Sequence, residues 1–150
     1  VDIFLPDFKY ISSEMAARYS NAPDYPEVAK RALAQMVKQT GDAKFDEREM
    51  MKRGVIVRHL ILPGHIKESK EAIRYLYETY GDQIYISIMN QYTPMPGIEK
   101  RFKNLGRTIT QKEYDEVVDY AIDLGVENGF IQEGETAKES FIPQFDDTGL

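Results

Sequence analysis

The sequence predicts an α/β fold built on a mainly parallel sheet, and three observations carry that expectation. Apolar runs at Val1–Leu5, Gly54–Leu62 and Gln83–Asn90, with a weaker one at Gly129–Gln132, are nearly continuous rather than alternating. That is the pattern of strands covered on both faces. Segments of helical period separate them, and the order strand, helix, strand implies right-handed crossovers between parallel neighbours, in a sheet either open or barrel-like.

Val1-Asp2-Ile3-Phe4-Leu5 reads as the first strand. It has no initiating methionine, basic leader or small-residue cleavage site, so Val1 is expected to be a cut or an artificial boundary rather than a natural start. Asp24–Thr40 is expected to be a helix, with Val28, Ala32, Met36 and Val37 on one stripe, Pro26 in its first turn and Gly41 just past its end. Thr40–Arg53 is charged and poor in apolar residues and reads as a connection. Ile66–Tyr80 repeats the helical pattern with Ile73, Leu76, Tyr77 and Tyr80, and stops at Gly81. Gln91–Ile109, with Pro94, Pro96, Gly97 and Gly106, reads as a long loop of the kind that often carries function. Thr110–Leu124 opens with Thr110 and Glu113 at capping-box spacing and places Tyr114, Val117, Val118 and Ala121 before Gly125. Glu133–Glu139 reads as solvated. Phe141-Ile142-Pro143 is expected to cap the sheet or to meet a partner.

A length of 150 residues suits a single domain over 1–150, and the 42% apolar content supplies a core without disulfides. The chain has no cysteine. This excludes thiolate zinc sites, catalytic thiols and any iron–sulfur cluster ligated by this chain itself, and leaves the cytoplasm as the default compartment. No apolar run approaches the ~18 residues of a membrane span. A net charge of −6 and a pI near 5.0 argue against a nucleic-acid groove. Only two histidines are present, neither with a carboxylate at metal-ligand spacing, so no metal residues are assigned. Glycine-rich phosphate loops, Gly-x-Ser-x-Gly and His-Glu-x-x-His are all absent.

In parallel α/β folds ligands sit beyond the carboxyl ends of the strands, which directs attention to three polar strand ends. Asp7 and Lys9 are two apart, so an extended chain points both to one face, where they either hold a polar ligand or form a surface ion pair. Arg58 and His59 interrupt an apolar strand. A guanidinium there must reach a ligand or pair with a neighbouring strand end such as Asp7. His59 points to the opposite face, where a hydrogen-bonded histidine under a helix is the commoner arrangement; His65, after Gly64, is no stronger a candidate. At the third end, Asn90, Gln91 and Tyr92 offer amides and a phenol, as ligand contacts or as ordinary turn chemistry.

Taken together, Leu5-Pro6-Asp7-Phe8-Lys9-Tyr10, Gly54–His65 and Ile88-Met89-Asn90-Gln91-Tyr92-Thr93-Pro94 resemble the later strands of radical S-adenosylmethionine proteins of the pyruvate formate-lyase-activating-enzyme type. Ser20–Val28, Tyr120–Gln132 and Glu139–Asp146 resemble the tail of its activating-enzyme-like branch. The resemblance implies the carboxyl-terminal half of a partial parallel barrel of six β/α units. In that family the first strand loop carries the cysteines of a [4Fe–4S] cluster, whose open iron site chelates S-adenosylmethionine. Here the resemblance begins at about the fourth strand, so the cluster is implied only for a full-length parent. It further implies that Asp7 and Lys9 contact the ribose and carboxylate of S-adenosylmethionine, that Arg58 lies near the ligand and substrate, and that Leu60, Asn90, Gln91 and Tyr92 border the adenine. Relatives have a proline at Gln91 and a histidine at Thr93, a departure that bears on the identity of the substrate protein. The expected activity of the parent is reductive cleavage of S-adenosylmethionine and generation of a glycyl radical on a partner enzyme. Alone, this chain is expected to be inert, with no catalytic residue of its own.

Two other readings stand beside it. Lys9, with Asp7, forms the Schiff base of a cluster-independent lyase or aldolase; or the chain is a non-catalytic interaction module. Self-association through the unpaired Val1–Leu5 edge or through Phe141–Phe145 is expected in either setting.

Overall fold

A computed structural model describes residues 3–41, 44–45, 47–48, 51–133 and 136–138, with the backbone alone at 51–52, 130–133 and 136–138. The central strand is β3 (Met51–Leu60), flanked in parallel by β1 (Ile3–Phe4) and β4 (Tyr85–Met89). β5 (Gly129–Glu133) adds in parallel to β4, and β6 (Thr136–Lys138) turns back antiparallel on β5. A two-residue strand, β2 (Lys44–Phe45), pairs antiparallel with the start of β3. The path β1-β3-β4-β5-β6 makes this a mixed α/β sheet with a parallel centre. β2, the early part of β3 and β6 lie in stretches whose charge hid them from a reading based on apolar runs.

Among the described residues there are five α-helices: α1 (Ser13–Ser20), α2 (Tyr25–Thr40), α3 (Ile66–Tyr80), α4 (Ile98–Arg101) and α5 (Gln111–Leu124). The Thr110–Glu113 capping box is formed in both directions and starts α5. α1 has no counterpart among the sequence expectations, although its caps are ordinary. The Ser12 hydroxyl accepts from the Met15 N–H, and Asn21 closes the helix in the left-handed region at φ 53°. The buried face of α2 also differs from the expected stripe. Leu33, Val37 and Thr40 are buried, whereas Val28 is 45% exposed and Ala32 is exposed. Leu33 sets this face because Pro26, Ala29, Leu33, Val37 and Thr40 follow one another at three- and four-residue steps.

The expectation of strands buried on both faces is corrected on one of them. Val55, Val57 and Ile61 pack with Leu33 and Val37 of α2, Ile73 and Leu76 of α3, and Tyr114 and Val117 of α5. The alternate residues look the other way. There Ile56 and Tyr85 form a separate cluster with Ile3, Leu5 and Phe45, while Arg58, Leu60, Ser87 and Met89 are half-buried. Among the described residues no helix contributes to this second cluster. Apolar residues therefore occupy both faces of β3, but helices cover one.

Side chains tie the connections to this frame. The Arg53 guanidinium donates to the Thr40 and Gln39 carbonyls at 2.9 and 3.0 Å, satisfying the end of α2 with a cation where the helix dipole favours one. Buried Glu68 accepts from the Ile11 and Ser12 N–H groups at 2.6 and 2.9 Å, fixing α1 to α3. The loop expected over Gln91–Ile109 contains α4 and a 3₁₀ turn at Lys103–Gly106, and Tyr92 donates to the Leu105 carbonyl at 2.7 Å. No helix of the described residues is long and apolar enough to cross a membrane. Val1, Asp2 and the Phe141–Phe145 segment lie outside the described residues.

Candidate functional site

The parallel pairing of β1 with β3 continues beyond Phe4 in the same register, so that Asp7 lies opposite Arg58. Pro6 interrupts the ladder because it has no N–H to give. Its carbonyl still accepts from the Arg58 N–H at 2.8 Å, and the Phe8 N–H donates to the Arg58 carbonyl at 2.8 Å. The extended chain thus carries on through Asp7-Phe8-Lys9, with Phe8 buried at 2% exposure and the two charged residues exposed on either side of it.

Arg58 Nε donates to Asp7 Oδ1 at 2.7 Å. Both side chains are nearly half exposed, which limits such a pair to about 0–1 kcal/mol. Each fully buried aliphatic of the helix-covered face contributes roughly 1.5–3 kcal/mol. The core, rather than the ion pair, holds the fold. Among the described residues the terminal guanidinium nitrogens of Arg58 and the Lys9 ammonium have no hydrogen-bond partner.

These groups border a hollow of about 300 Å3 at the carboxyl ends of β1, β3 and β4, on the face without helices. Asp7, Lys9 and Arg58 supply its charges; Leu60, Leu62 and Met89 supply an apolar wall; Tyr10 and Tyr92 supply phenol rings. Burial pushes the Tyr92 phenol up from its ordinary value. Five residues named from the sequence, Asp7, Lys9, Arg58, Leu60 and Tyr92, therefore share one cavity. Asn90 and Gln91 do not line it: Asn90 is half-buried and Gln91 exposed.

His59 is the reverse of Arg58. It is buried under α3, with Nδ1 2.8 Å from the Phe8 carbonyl and Nε2 2.8 Å from Ser69 Oγ. A carbonyl only accepts, which places the ring proton on Nδ1. Burial lowers the pKa and keeps the ring neutral. His65 shares a 2.7 Å hydrogen bond with the Tyr19 hydroxyl, and burial also lowers its pKa, helped by nearby Arg18. Among the described residues no group of three or more His, Cys, Asp or Glu could hold a metal ion.

Tyr10, Leu62 and Met89 belong to the hollow but were not singled out from the sequence. Two-residue spacing from Leu60 was a signal for Leu62 alone; Met89 joins through its pairing opposite Leu60 across β3 and β4, and Tyr10, directly after Lys9, follows no such spacing. Tyr25 was missed as well. Its hydroxyl accepts from the Lys9 N–H at 2.9 Å and donates to the Asp7 carbonyl at 3.0 Å, and nothing local in the sequence connects it to residues so far back.

No family model matches the chain, and no solved structure matches it significantly. It is similar to an uncharacterized protein of Methanocaldococcus jannaschii, 28% identical over 121 residues. That match covers 81% of this chain but 31% of the archaeal protein, so the chain spans about a third of that relative's length.

Proposed function

We propose that this chain is the carboxyl-terminal portion of a radical S-adenosylmethionine enzyme resembling pyruvate formate-lyase-activating enzyme, part of a partial β/α barrel that generates a glycyl radical on a partner protein. The single observation that carries this reading is the meeting of Asp7, Lys9 and Arg58 with Leu60 and Tyr92 around one hollow at the strand ends. In it the Lys9 ammonium receives a carboxylate and the Asp7 carboxylate receives ribose hydroxyls. Arg58 orients the Asp7 carboxylate by direct contact. Leu60, Leu62 and Met89 offer apolar surface to a flat base, and Tyr92 a ring to stack on it.

A volume of about 300 Å3 is at the low end for a ligand of this size, as befits a site walled on one side only. The helix-free sheet face supports the same reading, because strands of parallel sheets are ordinarily covered on both sides. So does a relative about three times as long as the matched region. The chain has no cysteine, so a cluster would be held by upstream sequence; when bound there it supplies the low-potential electron for cleavage of the sulfonium. The residues of this chain bind and orient the ligand. Lys9 is exposed, which gives no support to a Schiff-base role that depends on a desolvated lysine.

The test is a titration of the chain with S-adenosylmethionine followed by amide NMR. Shifts centred on Lys9, Arg58 and Leu60 are expected, and their absence at millimolar ligand overturns the reading. Supplied with iron, sulfide and dithionite, the chain alone should form no 5′-deoxyadenosine. Joining it to an upstream portion that carries three closely spaced cysteines should restore cleavage.

A further inference from the structure

In an extended chain the carbonyl of one residue and the N–H two residues on point to the same edge, while both polar groups of the residue between them point to the other. Asp7-Phe8-Lys9 follows this rule. Phe8 turns inward, its N–H donating to the Arg58 carbonyl and its carbonyl accepting from His59 Nδ1, each at 2.8 Å. The Asp7 carbonyl and the Lys9 N–H turn outward, where among the described residues the sheet has no further strand. The Tyr25 hydroxyl fills that place, accepting from Lys9 and donating to Asp7. One hydroxyl does what two groups of a neighbouring strand would do.

We infer that Tyr25 is a positioning residue of the ligand hollow, holding the Asp7–Lys9 segment extended so that its carboxylate and ammonium enter the site side by side. This rests on the ligand site proposed above. Without the hydroxyl, the freed carbonyl and N–H turn to water or close on each other in a three-residue turn, which swings the two side chains apart. Tyr25 is itself well anchored. It is the first residue of α2, and its ring meets the Tyr10 ring edge-on at a centroid distance of 5.7 Å. Tyr10 in turn lines the hollow and shares a 2.9 Å hydrogen bond with Ser20 at the end of α1. The start of α2 thus holds Asp7, Lys9 and Tyr10, and the end of α1 holds Tyr10 as well; preorganisation of this kind acts on affinity by removing an ordering cost.

The experiment compares the full chain with Tyr25→Phe, which keeps the ring against Tyr10, by S-adenosylmethionine titration, amide exchange and thermal unfolding. The variant should bind about five- to tenfold more weakly, as expected for loss of one or two hydrogen bonds. Its Lys9 amide should exchange about tenfold faster while Phe8 keeps its protection. Wild-type affinity in a variant whose Lys9 amide has been released overturns the inference, whatever happens to the melting temperature. If the unsubstituted chain shows no response to S-adenosylmethionine, the ligand reading falls. Tyr25 is then judged by 15N relaxation: lower order at Asp7–Lys9 in Tyr25→Phe supports its role, and unchanged order overturns it. An unprotected Lys9 amide in the unsubstituted chain overturns it without any variant.

Discussion

The Gly64 N–H donates to the Glu113 carboxylate at 2.9 Å, joining the turn after β3 to the first turn of α5 across 49 residues of chain. The same carboxylate accepts from Arg107 at 2.8 and 3.0 Å and from the Thr110 N–H at 2.8 Å. The Arg107 bonds, followed by those from Thr110 and Gly64, pull its pKa from the ordinary 4.5 to about 2. A folded value below the unfolded one stabilises above pH 4.5 and is lost as the pH falls toward 2. With about 1.4 kcal/mol per pH unit, discounted because Arg107 is half exposed, the loss is on the order of 2 kcal/mol. Glu113→Gln should remove a similar amount at pH 7 and flatten the acid limb, measured by urea unfolding from pH 7 to 2.5.

His59 carries a second pH dependence. Its pKa is lowered in the fold from 6.5, first by burial, so the unfolded chain takes up more protons below neutrality. Stability should therefore fall as the pH drops from about 7 through 6.5, before Glu113 begins to titrate. His59→Ala should shrink this limb to the part that His65, whose pKa is also lowered, contributes. It should also cost about 2 kcal/mol or more, because the Phe8 carbonyl and Ser69 hydroxyl lose their partner in the interior. Chemical denaturation at pH 7.5 and 5.5 measures both effects.

Arg58→Gln separates binding from folding. The pair with Asp7 is half exposed, so unfolding free energy should change by less than about 1 kcal/mol. Affinity for S-adenosylmethionine should weaken about tenfold or more, the usual scale for a charge-assisted contact. A large stability loss with unchanged binding would make Arg58 a structural residue.

The revised face of α2 gives a contrast within one helix. Leu33→Ala should cost about 2–5 kcal/mol and Val28→Ala within about 0.5 kcal/mol, read from melting or denaturant midpoints.

The parts legible in the sequence were those written in local chemistry. Thr110 and Glu113 announce α5, Gly41 and Gly81 close α2 and α3, and Arg58 stands out because a cation inside an apolar run needs a reason. Asp7 and Lys9 were legible through two-residue spacing alone. The Tyr25 bridge, the Glu68 clamp on Ile11 and Ser12, and the burial of Leu33 instead of Val28 were not. Each depends on the docking of elements distant in the chain, and a helix whose apolar residues sit at several competing steps does not declare which stripe faces inward. Asn90, Gln91 and Tyr92 read together as rim residues from their place at a strand end, and of the three it is Tyr92 that lines the cavity.

Arg58 and His59 are neighbours with opposite needs, and that makes them a lock on alignment. Sliding β3 by one position would thrust a guanidinium among the aliphatic side chains beneath α3 and strip the imidazole of both its partners. A mispaired intermediate of this kind is penalised as soon as the helices dock, so the dipeptide that equips one side of the sheet also proofreads how the chain threads through it.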